Sequence, residues 1–210
     1  MPFRIEKYRV HIEFITELLG TQPLNTQVFL EHVVDPDEVE QERIDEDVVA
    51  LEGAIAAQEE EVKGKTGFFR HDDVPCLKDH MIKGFCKEAC GDLWRATGTL
   101  SKKLKAYKKT IDGLLHVFPR YIPLQLNGQE LIDDLPRPLR AQTAQGERTA
   151  IAHSEVAPEG TEIDFEIHII EGRITEQLLV EWLDYGLYKG LGQWRNASHG
   201  RFNYTLEKLS

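Results

Sequence analysis

Two stretches alternate apolar and polar residues without a break, and they limit what this chain can fold into. In Tyr8-Arg9-Val10-His11-Ile12-Glu13-Phe14, Tyr8, Val10, Ile12 and Phe14 share one face, and Arg9, His11 and Glu13 the other. In 161–170, Ile163, Phe165, Ile167 and Ile169 face one way, and Asp164, Glu166 and His168 the other. Side chains on a strand point alternately to its two faces, so each stretch is a strand with one wet side. Phe202, Tyr204 and Leu206 make a third strand. Before it, 174–189 carries Leu178, Leu179, Trp182, Leu183 and Gly186 on one helical face. The expected class is α+β, a split βαβ arrangement with an antiparallel sheet and inserted hairpin segments.

The middle of the chain is less regular. Asp35-Pro36-Asp37-Glu38 reads as a helix start, with Asp35 as cap and Pro36 at the first helical position. Ile44, Val48, Leu51, Ile55 and Val62 give that helix one apolar face, and Gly64 closes it. Thr66–Arg70 is expected as a short strand, 71–75 as a loop, and about 78–95 as a second helix burying Ile82, Phe85, Ala89 and Leu93. Gly84 lies inside this helix, where Gly costs about 1 kcal/mol against Ala, so it asks for a packing or contact reason. Pro119 and Pro123 confine 114–126 to edge strands or a protruding ribbon. Asn127-Gly128 is a hairpin-type turn signal, and 133–138 is expected as a loop.

The formal charge of the 210 residues is −11, which argues against a free, non-specific nucleic-acid binder. The charge is segregated. From Glu31 to Glu61 there are thirteen acidic residues and one Arg; from Lys78 to Lys109 there are nine Lys or Arg and three acids. The acidic stretch reads as a solvated outer face, and an average over the chain conceals a basic one. No apolar run approaches membrane-spanning length and the first residues lack a secretion signal, so a cytoplasmic protein with no membrane partner is expected. Cys86 and Cys90, with His71, Cys76 and His80, supply zinc-ligand residue types, but the spacing matches no common zinc module. Buried reduced thiols are the expectation, with no metal and no cofactor.

Gly190, Gly192 and Gly200 bracket Trp194, Arg195 and His199, with Arg201 next. Glycine permits positive φ and close approach of another backbone. A glycine-spaced loop after a helix can wrap a phosphate or sugar edge with backbone N–H groups and guanidinium forks. Gly190 alone is equally a helix C-cap. Within 102–109, Tyr107 lies among five lysines, a pattern suited to phosphate contact plus base stacking or to a solvated basic loop.

Three segments together look like the RAMP superfamily of CRISPR proteins, above all its backbone subunits. Gly190-Leu191-Gly192 through Gly200-Arg201-Phe202 resembles the family's glycine-rich loop. Met81-Ile82-Lys83-Gly84-Phe85 is similar to its hydrophobic-Lys-Gly helix step. Arg140-Ala141-Gln142-Thr143, with the Glu155–Thr161 stretch, resembles its Arg-x-x-Thr run and Glu–Gly turn. The resemblance implies a ferredoxin-like, RRM-type palm that grips single-stranded RNA or DNA, RNA being the expected ligand. It implies self-association, or assembly with a related subunit along the strand. Residues 1–210 are expected as a single domain of this type, with insertions at approximately 72–110 and 114–145. The chain also resembles prophage-borne proteins of this kind, outside any CRISPR locus.

The expected nucleic-acid contacts are Lys83, Tyr107, Arg140, Gly190, Gly192, Trp194, Arg195, Gly200 and Arg201. Each has an ordinary alternative. Trp194 could pin the loop from inside, Lys83 could be a solvated helix lysine, and Arg195 could bind loop carbonyls. Arg140 and Arg201 could make surface ion pairs. Catalysis is not expected. The alternative is a metal-independent endoribonuclease with a His base, for which His199 is the best-placed candidate, followed by His11 and His153. A third reading is a structural phage or effector subunit that binds no nucleic acid.

Overall fold

A computed structural model of the chain describes residues 3–24, 65–143 and 146–209, with the backbone alone over 139–150. The helix expected over 35–64, with its acidic run, lies outside the described residues. The chain divides into two compact units. One comprises Met1–Leu18, Phe69–Glu130 and Pro158–Ser210; the other comprises Leu19–Phe68 and Leu131–Ala157.

In chain order the strands are β1 (Ile5–Phe14), β2 (Leu18–Leu19), β3 (Gln22–Pro23), β4 (Lys65–Gly67), β5 (Phe69–His71), β6 (Val74–Lys78), β7 (Leu115–Phe118), β8 (Tyr121–Pro123), β9 (Ile132–Thr143), β10 (Gly146–Ala157), β11 (Glu162–Ile170) and β12 (Phe202–Leu209). The helices are α1 (Asp79–Leu93), α2 (Tyr107–Leu114) and α3 (Glu176–Asp184).

The first unit is built on an antiparallel sheet ordered β12-β1-β11-β7. Taken as β1-α1-β7-β11-α3-β12, this is the βαββαβ arrangement of a ferredoxin-like palm, strand order 4-1-3-2. The alternation of β1 and β11 sets the register: Val10 lies opposite Phe165, and Ile12 opposite Ile163. A slip of one residue would turn both apolar rows to water. Those rows are fully buried, as are Leu178, Leu179, Trp182 and Leu183 of α3. Phe202 stands between two aromatic neighbours, 5.3 Å from Phe85 and 6.2 Å from Phe14, both edge-on. Thr175 caps α3, its hydroxyl accepting from the Leu178 N–H at 3.3 Å.

On α1 the apolar face differs slightly from expectation. Cys86 and Cys90 lie within it, and Leu93 stands at its margin. Burial pushes the Cys86 thiol up to about 12 and raises those of Cys90 and Cys76. Thiolate is the reactive form. All three thiols are therefore expected to resist iodoacetamide at pH 8 in the folded chain and to react within minutes in guanidinium, as counted by intact mass.

A small sheet, β5-β6-β8, completes the first unit. The stretch 71–75, expected as a loop, is mostly a hairpin. Asp72 and Asp73 make its tip at φ +51° and +64°, a region where short polar side chains are tolerated. The second unit holds a sheet in which β10 pairs with β4 and β9, and β4 with β3. The 133–138 loop is corrected: it belongs to β9, where Pro136 pairs with His153 and Pro138 with Ile151. Among the described residues β9 pairs only with β10, and an edge strand tolerates proline because one side needs no donor. Arg137, buried on β9, donates to the Ser154 hydroxyl at 3.0 Å.

Candidate nucleic-acid interface

The glycine-rich loop is a knot of backbone contacts. Gly190, Gly192 and Gly200 have φ of +76°, +78° and +70°, and Trp194 and Ser198 are also left-handed. The Leu191 N–H donates to the Gly200 carbonyl at 2.9 Å. The Gly200 N–H donates to Glu17 O at 2.8 Å, and the Ile15 N–H to Arg201 O at 2.9 Å. Thr16 closes the seam: its hydroxyl donates to Ser198 O and accepts from the Arg201 N–H, both at 2.9 Å. The loop is thus stitched to the turn leaving β1.

Its side chains are committed inward. Arg195, only 12% exposed, makes a two-pronged ion pair with Glu88 of α1, with Nη1 on Oε2 and Nη2 on Oε1. Trp194 stacks on His199, centroids 5.2 Å apart and planes 10° from parallel. His199 Nδ1 lies 3.8 Å from the Glu17 carboxylate. Arg201 is half-buried, and its Nε is buried without a hydrogen-bond partner. Glu88 was not singled out in the sequence, because a pair 107 residues apart leaves no local signal.

The other expected contacts are dispersed. Lys83 reaches the Asp112 carbonyl at 3.4 Å. Tyr107 packs on α1, where a Cβ added to Gly91 would stand 2.6 Å from the phenol oxygen. Arg140 lies on β9, opposite Thr149 in register. The histidines occupy three settings. His11 bonds Asp164 at 3.0 Å on the open sheet face, His199 lies under Trp194, and His153 bonds Asp134 at 2.9 Å in the second unit.

Among the described residues nothing lies within 4 Å of a Cβ added at Gly84. No packing requirement explains the glycine. Gly84→Ala is therefore expected to stabilise the chain by about 1 kcal/mol, raising the thermal midpoint by roughly 2–4 °C in calorimetry.

Two surfaces of the first unit have opposite character. The open face of the β12-β1-β11-β7 sheet carries Glu13, Glu162, Asp164, Glu166 and Glu207 against Lys7 and Arg9. Arg9 is held by Glu207 at 3.2 Å, and His168 by Glu166 at 2.9 Å. A shallow groove of about 570 Å³ there is lined by Arg9, Phe118, Pro119, Asp164 and Glu166. Carboxylates outnumber the cations on this face and repel phosphate. The 3-10 turn Ser101–Lys103 and α2 carry the reverse charge. Lys102, Lys103, Lys105, Lys108 and Lys109 are all exposed, and among the described residues none makes an ion pair.

That lysine surface has a firm base the sequence did not disclose. The Glu181 carboxylate of α3 accepts from the Leu100 N–H at 2.6 Å, the Ser101 N–H at 2.9 Å and the Ser101 hydroxyl at 2.5 Å. The buried Trp182 indole donates to that same hydroxyl at 3.0 Å. Glu181 thereby satisfies donors that the turn leaves unpaired.

No family model and no curated protein matches the chain. Solved structures do. A chain of the Type III-B Cmr-beta complex bound to cognate target RNA is 12% identical, with TM-score 0.50, over 99% of this chain. This chain spans 61% of that one. A chain of a Type IV-B CRISPR complex is 13% identical over 96% of this chain and 90% of that one, with TM-score 0.44. The first likeness shows a fold shared with that chain of the Type III-B Cmr-beta complex. Among the described residues no helix is long and apolar enough to cross a membrane.

Proposed function

We propose that this chain is a non-catalytic, single-stranded RNA-binding subunit of the RAMP type, working beside other subunits along the strand. The observation that carries the reading is the row of five exposed lysines from the Ser101–Lys103 turn into α2, unpaired among the described residues, in a chain whose formal charge is −11. A segregated basic surface is the footprint of a polyanion partner. The fold agrees, since it is shared with a chain from a complex bound to RNA. In this reading the glycine-rich loop is the scaffold that holds α1 and β1 together, and the strand follows α2 with Lys83 beside it.

Each phosphate neutralised on a single strand contributes about −0.7 to the slope of log affinity against log salt. Five lysine contacts therefore give a slope near −3.5, roughly a 100-fold loss between 50 and 200 mM salt. Fluorescence anisotropy of the full chain with a labelled RNA 12-mer should show this. Replacing the five lysines by Gln should make the slope shallower by about 3.5. Absence of binding to RNA and to DNA at 50 mM salt would refute the reading. Cleavage of the RNA without added metal would replace it with the endoribonuclease.

A further inference from the structure

The β5-β6-β8 sheet carries a second cluster of the first unit that the proposed lysine surface does not use. Register puts Phe69, His71, Lys78 and Tyr121 on one face. The His71 and Tyr121 rings, from the two outer strands, stack across β6 with centroids 4.4 Å apart and planes 15° from parallel. Arg120 lies over the Tyr121 ring at 5.7 Å. Lys78 lies over the Phe69 ring at 3.4 Å. His71 keeps 58% of its side chain exposed, with its Nε2 3.9 Å from the Asp72 carboxylate, so the outer end of the stack is accessible to solvent. Among the described residues neither Lys78 nor Arg120 has a carboxylate within ion-pair distance, and the nearby Asp79 is occupied by the His80 N–H at 2.8 Å.

We propose that this face is a base-stacking subsite for single-stranded RNA, in which a nucleobase extends the His71–Tyr121 stack while Arg120 and Lys78 hold the adjoining phosphates. The subsite rests on the RNA-binding reading above and adds to it a contact that depends on bases. Cations beside aromatic faces are what a non-sequence-specific strand site needs, because every base has a π-face and every nucleotide a phosphate. Burial and then the charge of Arg120 hold the Lys78 ammonium below its ordinary range, with Cys76 and Asp79 opposing them only in part. A phosphate between the two would remove that conflict. An acidic protein partner would use the cations but not the open ring.

The test compares a uridine 12-mer with an abasic 12-mer of equal phosphate number, by anisotropy at 150 mM salt. The full chain is expected to bind the base-bearing strand about 5- to 150-fold more tightly, the range of one stacked base. His71→Ala and Tyr121→Leu should erase this preference, whereas Tyr121→Phe should keep it. Arg120→Gln should weaken both strands and reduce the salt slope by about 0.7. Photocrosslinking of the unmodified chain to a 4-thiouridine strand should place adducts at 69–78 or 120–121, a readout independent of any variant's folding. Equal binding of both strands, or adducts only elsewhere, overturns the subsite and leaves the lysine-surface reading standing. Failure to bind either strand overturns both. Binding of polyglutamate in place of RNA, lost in Arg120→Gln, assigns the face to an acidic protein instead.

Discussion

Gly200→Ala is expected to destabilise the chain by about 4 kcal/mol or more, lowering the thermal midpoint by roughly 8–16 °C for a protein of this size. The added Cβ would fall 1.8 Å from the Leu191 carbonyl oxygen, at a residue whose φ is +70°. Both obstacles are backbone, so no side chain can swing aside. Gly98→Ala is the control. Its φ is +83°, but among the described residues nothing lies within 4 Å of the added Cβ, so only the left-handed strain of about 1–2 kcal/mol applies. Calorimetry of the two variants separates conformational strain from collision. Equal losses would mean that the 190–200 loop does not close on itself as described.

Gly186→Ala is the second large effect, expected near 3 kcal/mol by overpacking. Here the obstacle is the Phe202 ring, whose Cζ would stand 2.2 Å from the new methyl. Phe202 is fully buried and touches Phe14 and Phe85, so the ring has no vacant space to enter. The cycle with Phe202→Leu tests the cause. The double variant should lose 0.5–3 kcal/mol less than the sum of the two single losses, as for residues in direct contact. Additive losses would show that Gly186 is required for the turn and not for the ring.

The strands of the palm were legible because each has a buried and a wet face, so Tyr8–Phe14 and 161–170 display their period openly. α1 and α3 were legible for the same reason, but α2 was not, because the lysines of 102–109 read as a basic loop. β9 was not legible, because Pro136 and Pro138 read as loop residues unless the strand is known to be an edge. The glycine-rich loop was legible as a site of close backbone approach, but the commitment of Arg195 was not. Nothing near Arg195 in the chain points to Glu88, and a guanidinium facing phosphate has the same sequence as one facing a carboxylate. The His71–Tyr121 stack escaped for a similar reason, its members being fifty residues apart. The two short runs around Asp72-Asp73 did carry a hairpin signal that could have found half of it.

The arrangement of β1 has a consequence for how the palm is made. Its partners are β11 on one side, from Ile5 against Ile170, and β12 on the other, from Lys7 against Leu209 to Phe14 against Phe202. Both arrive more than 140 residues later. During synthesis β1 leaves the ribosome well before either partner and waits with both edges open, its apolar row exposed, until β11 and β12 have emerged. Closure of so distant a pairing is entropically slow. An open strand edge in a crowded cell is also the usual starting point for association with the wrong neighbour. The interval between the emergence of β1 and that of β12 is thus the stage at which wrong association competes with closure of the palm.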